Sequence, residues 1–155
     1  MKRVVSYIAA AAVLVLSNAA QAMADDFAVV VNRANAVNAV SMAELRKIVL
    51  AQATVWTNGK RISLVATQAD WPGTLMAISG MNVKDFNIHL MRDTFNGGVV
   101  NPPKVLASGA QAKETIAGLP TALGFIRASD VDDSVKVIKV DGLAPGQSGY
   151  PVSAK

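Results

Sequence analysis

Two stretches of this chain carry groups suited to holding a small oxyanion. The first is Thr67-Gln68-Ala69-Asp70-Trp71-Pro72-Gly73-Thr74, which follows an apolar run and opens a helical pattern. A helix start presents free N–H groups at the positive end of the helix dipole, and both favour an anion. The hydroxyls of Thr67 and Thr74 add two donors. The second stretch is Ser108-Gly109, another helix start, reached after the Pro102-Pro103 segment. Open α/β sheets bind ligands beyond the carboxyl ends of their parallel strands. That rule selects Thr67, Asp70, Gly73 and Thr74 as ligand-binding residues, with Ser108 and Gly109 next. Asp70 opposes a fully ionised anion unless it accepts a proton-bearing oxygen. Plain helix capping by Asp70 and Ser108 is the competing reading, and the residues alone leave both open.

Catalytic chemistry has little to work with. His89 is the single histidine, set inside a helical pattern, and the chain has no cysteine. Thiol catalysis and cysteine-based zinc sites are therefore excluded, and no histidine or carboxylate spacing suggests another metal site. The acidic cluster Asp130-Val131-Asp132-Asp133 reads as a solvated loop before a strand. Neither a phosphate-binding Gly-Lys-Ser/Thr loop nor a Gly-x-Ser-x-Gly elbow occurs. The expectation is a non-catalytic protein with no cofactor.

The elements that must position these groups are legible from periodicity. Phe27 to Asn32 is a near-continuous apolar run of strand length, as in a strand buried on both faces. Ser41 with Glu44 forms a capping box ahead of a helix whose apolar face is Met42, Leu45, Ile48 and Val49. Asn58-Gly59 makes a tight turn into the strand Ile62 to Thr67. A helix then starts at Asp70, with Pro72 tolerated in its first turn, and runs to Gly80. Asn82 caps a longer helix ending at Asn96-Gly97-Gly98, and Ser108 opens one that stops by Gly118 and Pro120. Ala122 to Ile126 and Val135 to Val140 read as strands, and Gly, Pro and Ser enrich the tail from Asp141. Strands alternating with helices predict one α/β domain with a mostly parallel sheet flanked by helices, the last strand being the one expected to run antiparallel.

Bulk properties add a destination. Lys2 and Arg3, the 13-residue run from Val4 to Leu16, and Ala20-Gln21-Ala22 make up a secretory signal peptide. Residues 1–22 are thus expected to be cleaved, with an alternative cut after residue 24, leaving 23–155 as a single domain in the periplasm. The run is too short for a span of roughly 20 residues, so no membrane-embedded segment is expected. The chain of 155 residues has a formal net charge of +4, with 15 basic and 11 acidic residues. Without Lys2 and Arg3 the count is 13 against 11, an excess of +2. The remaining cations are scattered and lack interleaved aromatics, which argues against nucleic acid.

The order of several short motifs resembles the phosphate-binding proteins of periplasmic ABC import systems. They are Val29-Val30-Val31-Asn32, Leu45-x-x-Ile48-x-Leu50 with Trp56 and Asn58-Gly59, Ile62-Ser63-Leu64-Val65, Gly73-Thr74, Leu119 to Ile126, Val140 to Pro145, and Gly149-Tyr150-Pro151-Val152. The resemblance implies one lobe of a type 2 periplasmic binding protein, with the pattern entered near its middle. The family's Arg-x-Asp-Gly-Ser-Gly-Thr turn corresponds to Thr67–Thr74. Asp70, Gly73 and Thr74 match; Gln68 or Thr67 stands for the arginine and Pro72 for the serine. Losing that arginine removes a bidentate, charge-assisted contact. Two functions follow from the resemblance. One is a solute-binding-like protein for phosphate or a related small oxyanion, serving a membrane transporter. The other is an interaction or accessory module that kept the fold, lost solute binding and docks on a periplasmic or membrane partner.

Overall fold

The computed structural model describes residues 26–154. The expected signal peptide and its cleavage sites lie outside them. Five strands form the central sheet: β1 (Phe27–Val31), β3 (Ser63–Thr67), β4 (Lys104–Leu106), β5 (Ala122–Arg127) and β6 (Lys136–Val137), in the order β4-β3-β5-β1-β6. Strand β3 pairs parallel with both β4 and β5, whereas β1 is antiparallel to β5 and to β6. Four of the five strands therefore point one way, as the alternation of strands and helices predicts. The reversed strand is the first one, β1, and not the last. A run buried on both faces does not reveal its direction, and β1 owes its direction to pairing with strands about a hundred residues later.

The stretch Val135–Val140 also divides. Its first half is β6; its second half is β7 (Lys139–Val140), which pairs parallel with β2 (Ala39–Val40) in a separate two-stranded sheet. Ile138, fully buried, marks the crossing and donates its N–H to Val29 O at 2.9 Å. Strand β2 lies in a segment whose sequence reads as a polar connection, because two residues are too few for a period to show.

Alternation along the strands separates two cores. Phe27, Val29 and Val31 of β1, Leu64 and Ala66 of β3, and Leu123 and Phe125 of β5 face one side. Helices α1 (Met42–Val49), α2 (Trp71–Ser79) and α3 (Val83–Phe95) cover it, through Leu45, Ile48, Leu75, Ile78 and Phe86. Ala28, Val30, Val65, Ala122 and Ile126 face the other side, under Ala112 and Ile116 of α4 (Gly109–Gly118). Gly124 makes that second contact possible: a Cβ there would sit 2.2 Å from Ile116 Cδ1. Buried Asn32 closes the far end of α4, its Nδ2 donating to the carbonyls of Ile116 and Ala117 at 2.8 Å each.

Helix starts largely follow the sequence signals. Ser41 accepts from Glu44 N–H and the Glu44 carboxylate accepts from Ser41 N–H at 2.8 Å, completing the capping box. Those bonds from Ser41, backbone first and hydroxyl second, hold the Glu44 carboxyl below its usual range. Asn82 and Ser108 cap α3 and α4 as expected, accepting from Asp85 and Gln111 N–H. Asp70 behaves differently. It stands at the cap position of α2 in a helical conformation, and its side chain makes no capping bond.

Candidate functional site at the carboxyl edge of the sheet

The carboxyl ends of β4, β3 and β5 lie side by side; β3 runs into the Thr67–Thr74 turn, β4 into Ser108-Gly109, and β5 ends at Arg127. Thr67 pairs with Leu106, and Gln68 N–H donates to Leu106 O at 2.8 Å, so the turn after β3 sits against the start of α4. All six residues selected from sequence, Thr67, Asp70, Gly73, Thr74, Ser108 and Gly109, are thereby gathered on one edge.

The centre of this edge is Asp70. One carboxylate oxygen accepts from Arg127 Nε at 2.7 Å, the other from the Thr67 hydroxyl at 2.9 Å. Asp70 N–H returns a bond to Thr67 Oγ1 at 3.2 Å, so the turn is tied to itself. Its carboxylate is aimed at the end of β5 and is not available to α2, which is why the helix lacks a side-chain cap. In α2's first turn Pro72 has no N–H to give and Thr74 N–H donates to Asp70 O at 2.9 Å, so the N–H groups of Trp71 and Gly73 are the ones without a side-chain cap.

Arg127 ends β5 and is a residue of the candidate site that the sequence reading missed. Its guanidinium lies 4.9 Å above the Phe27 ring and its side chain is 36% exposed. Only its Nε is bonded among the described residues, and the two terminal nitrogens have no hydrogen-bond partner there. An arginine closing an apolar run, Gly124-Phe125-Ile126-Arg127, was the available signal. It falls about 57 residues after the turn it completes, so no local pattern links the two.

The other candidates hold this frame in place. Thr74 is 0% exposed, and its hydroxyl donates to Asp70 O at 2.9 Å. The hydroxyl protons of both Thr67 and Thr74, expected as ligand donors, are directed at Asp70 and so fix the turn. Gly73 lets α2 approach β1: an added Cβ would lie 3.0 Å from Phe27 Cζ. Trp71 is buried against Phe86 in an edge-on contact at 5.5 Å and against Phe125 at 6.2 Å, so it belongs to the core. Ser108 caps its own helix, and a Cβ on Gly109 would meet the Asp130 carboxylate at 2.9 Å. The start of α4 thus has an anion of its own beside it.

Two hollows border the turn. One, of about 350 Å³, runs between Gln68, Pro72, Phe86 and Pro103; the other, of about 290 Å³, lies between Gly73, Met76 and Pro151. A third, of about 230 Å³, sits under Trp56 and Ile62, ahead of β3 at the opposite edge. His89 is engaged with Leu50 O at 3.2 Å and Asp93 at 3.4 Å. Asp132 of the acidic loop is bonded by Lys113 at 2.7 Å and by Ser134, which holds its carboxyl well below the usual range. Among the described residues no group of three or more potential ligands could hold a metal ion.

No protein-family model and no curated protein sequence matches this chain. Solved structures do. An ABC-type phosphate transport receptor from Vibrio cholerae is 26% identical, with a TM-score of 0.55 over 80% of this chain and 50% of that one. A phosphate ABC transporter substrate-binding protein from Clostridium perfringens, solved with bound phosphate, is 23% identical, with a TM-score of 0.59 over 84% and 54%. PstS from Borrelia burgdorferi reaches a TM-score of 0.60 over 84% and 55% at 13% identity, and this likeness and that to the Clostridium protein are of fold alone. The chain spans about half the length of these receptors. It is a short structural relative of the phosphate ABC-transport substrate-binding proteins, with the fold of one of their lobes.

Proposed function

We propose that this protein is a non-catalytic, periplasmic solute-binding-like protein that takes a small oxyanion, phosphate or a close analogue, at the carboxyl edge of its sheet, in the service of an ABC-type transporter. One observation carries the reading. Asp70 makes no side-chain cap on α2 and instead accepts from Arg127 Nε, so a helix start without a side-chain cap and a guanidinium with two unbonded terminal nitrogens flank the same carboxylate. Arg127 supplies the charge that the turn itself lacks. Thr67, Asp70, Gly73 and Thr74 hold the geometry, and Ser108 and Gly109 border it.

The rim is open, and this sets the strength. An exposed ion pair is worth about 0–1 kcal/mol, and each neutral hydrogen bond adds about 0.5–1.5 kcal/mol. A few such contacts amount to roughly 4 kcal/mol, a millimolar dissociation constant. Calorimetry with phosphate, sulfate and arsenate is expected to give weak heats in that range, lost in Arg127→Gln. Absence of heat and of any thermal shift at tens of millimolar anion would overturn the oxyanion reading. The second reading, an accessory module that docks on a partner without a solute, is favoured by Asp130 beside Gly109, which places a carboxylate where a second anion contact would form. Pull-down of a periplasmic or membrane partner by a protein that gives no anion heat would establish it.

A further inference from the structure

The hairpin between α1 and β3 holds an asparagine against a glycine in an open turn. Trp56 N–H donates to Lys60 O and Gly59 N–H to Trp56 O, each at 2.8 Å, so Thr57, Asn58 and Gly59 form a three-residue loop. Gly59 is left-handed at φ 78°, the bulge position that ends such loops. A Cβ added to it would meet nothing within 4 Å, so its nitrogen is unshielded on that side. Asn58 is exposed, and its Oδ1 accepts from Lys60 N–H at 3.0 Å. That bond polarises the side-chain carbonyl next to an unhindered backbone nitrogen. Lys60 and Arg61, both exposed, add positive charge directly after it.

Asn96-Gly97 is the other asparagine-glycine pair of the chain and provides a comparison within the molecule. Gly97 N–H donates to Thr94 O at 3.1 Å, so a turn carbonyl holds the glycine amide in both pairs. The surroundings differ. Asn96 Oδ1 accepts no bond among the described residues. It stands at the C-cap of α3, at the negative end of the helix dipole, one turn after Asp93.

We propose that Asn58-Gly59 is a self-modification site, at which the asparagine loses its amide through a succinimide, with water as the co-reactant. The Gly59 nitrogen gives up its proton and attacks Asn58 Cγ, forming a C–N bond. The Cγ–Nδ2 bond breaks, and ammonia leaves with that proton. Water then opens the five-membered ring at either carbonyl, which leaves aspartate or isoaspartate at position 58. Lys60 N–H meets the charge that develops on Oδ1 during the attack, and the neighbouring cations favour the deprotonated nitrogen. At Asn96 the same charge grows beside a carboxylate and a helix C-terminus, which oppose it. The isoaspartate product runs the main chain through Cβ and adds one carbon to the loop. That loop carries Trp56, whose Nε1–H donates to Thr121 O at 3.0 Å.

Ageing the full chain at neutral pH, followed by trypsin digestion and mass spectrometry, tests this. Cleavage after Lys47, Lys60, Arg92 and Lys104 puts Asn58 and Asn96 on separate peptides. Asn58 is expected to convert about two- to tenfold faster than Asn96, the worth of one neutral hydrogen bond, at a rate that rises with pH. In urea strong enough to unfold the chain, the two rates are expected to converge. Equal rates in the folded chain, or faster conversion at Asn96, would overturn the proposal. So would a difference that persists unchanged in urea, which would trace it to the adjacent residues and not to the folded hairpin.

Discussion

At Asp70 a single carboxylate has two possible uses, to cap α2 or to hold Arg127, and the structure shows the second. Capping satisfies one backbone donor with a net gain of about 1 kcal/mol, whereas a charge-assisted bond on a largely buried carboxylate is roughly twice as strong as a neutral one. The arginine wins, and Thr67 and Thr74 are drawn into the same arrangement. Thr74→Ala follows from this directly. The hydroxyl it removes is sealed from solvent and bonded to Asp70 O, so stability is expected to drop by about 0.5–1.5 kcal/mol in urea unfolding. Anion heat in the folded variant is expected to change little. A loss of anion heat with unchanged stability would place the hydroxyl in the site and not beneath it.

Among the elements, those with a local signature were legible and those set by distant partners were not. The capping box, the Asn82 and Ser108 caps and the Asn58-Gly59 turn, with Gly59 at φ 78°, are written in three or four adjacent residues. The direction of β1, the crossing at Ile138 and the pairing of β2 with β7 depend on residues far along the chain. The site divides in the same way: its turns were legible from the strand-to-helix rule, while Arg127 was not, because it arrives from the neighbouring strand. The capping box also gives an element-scale prediction. Ser41→Ala removes one acceptor at the start of α1, and its expected cost is about 0.5–2 kcal/mol. Amide exchange is the measurement that localises it, with protection lost over the first turn of α1 and retained in β3 and β5. Uniform loss across the sheet would mean that the box supports the whole domain.

Across the whole molecule, the tail braces the start of the reversed strand and, through it, the candidate site. Phe27 N–H donates to Val152 O at 2.8 Å, Asp26 bridges to Ser153, and the Tyr150 hydroxyl donates to Phe27 O at 2.8 Å. Phe27 in turn lies under Arg127 and against Gly73, so the last residues brace the rim from behind. Burial raises the Tyr150 phenol above the ordinary tyrosine range, which makes this brace sensitive to alkali. The sign follows from linkage. With the folded pKa above the unfolded value near 10, the neutral phenol's contribution is fully present below about pH 10 and is lost as pH climbs from there toward the folded value. Tyr150→Phe is expected to cost about 0.5–1.5 kcal/mol at pH 8, the worth of one hydrogen bond. Above pH 10 the gap between the two proteins is expected to narrow, because only the parent has this phenol to ionise on unfolding. Urea unfolding of both from pH 8 to 11.5 measures it; two curves falling in parallel would show that the tail does not carry the alkaline transition.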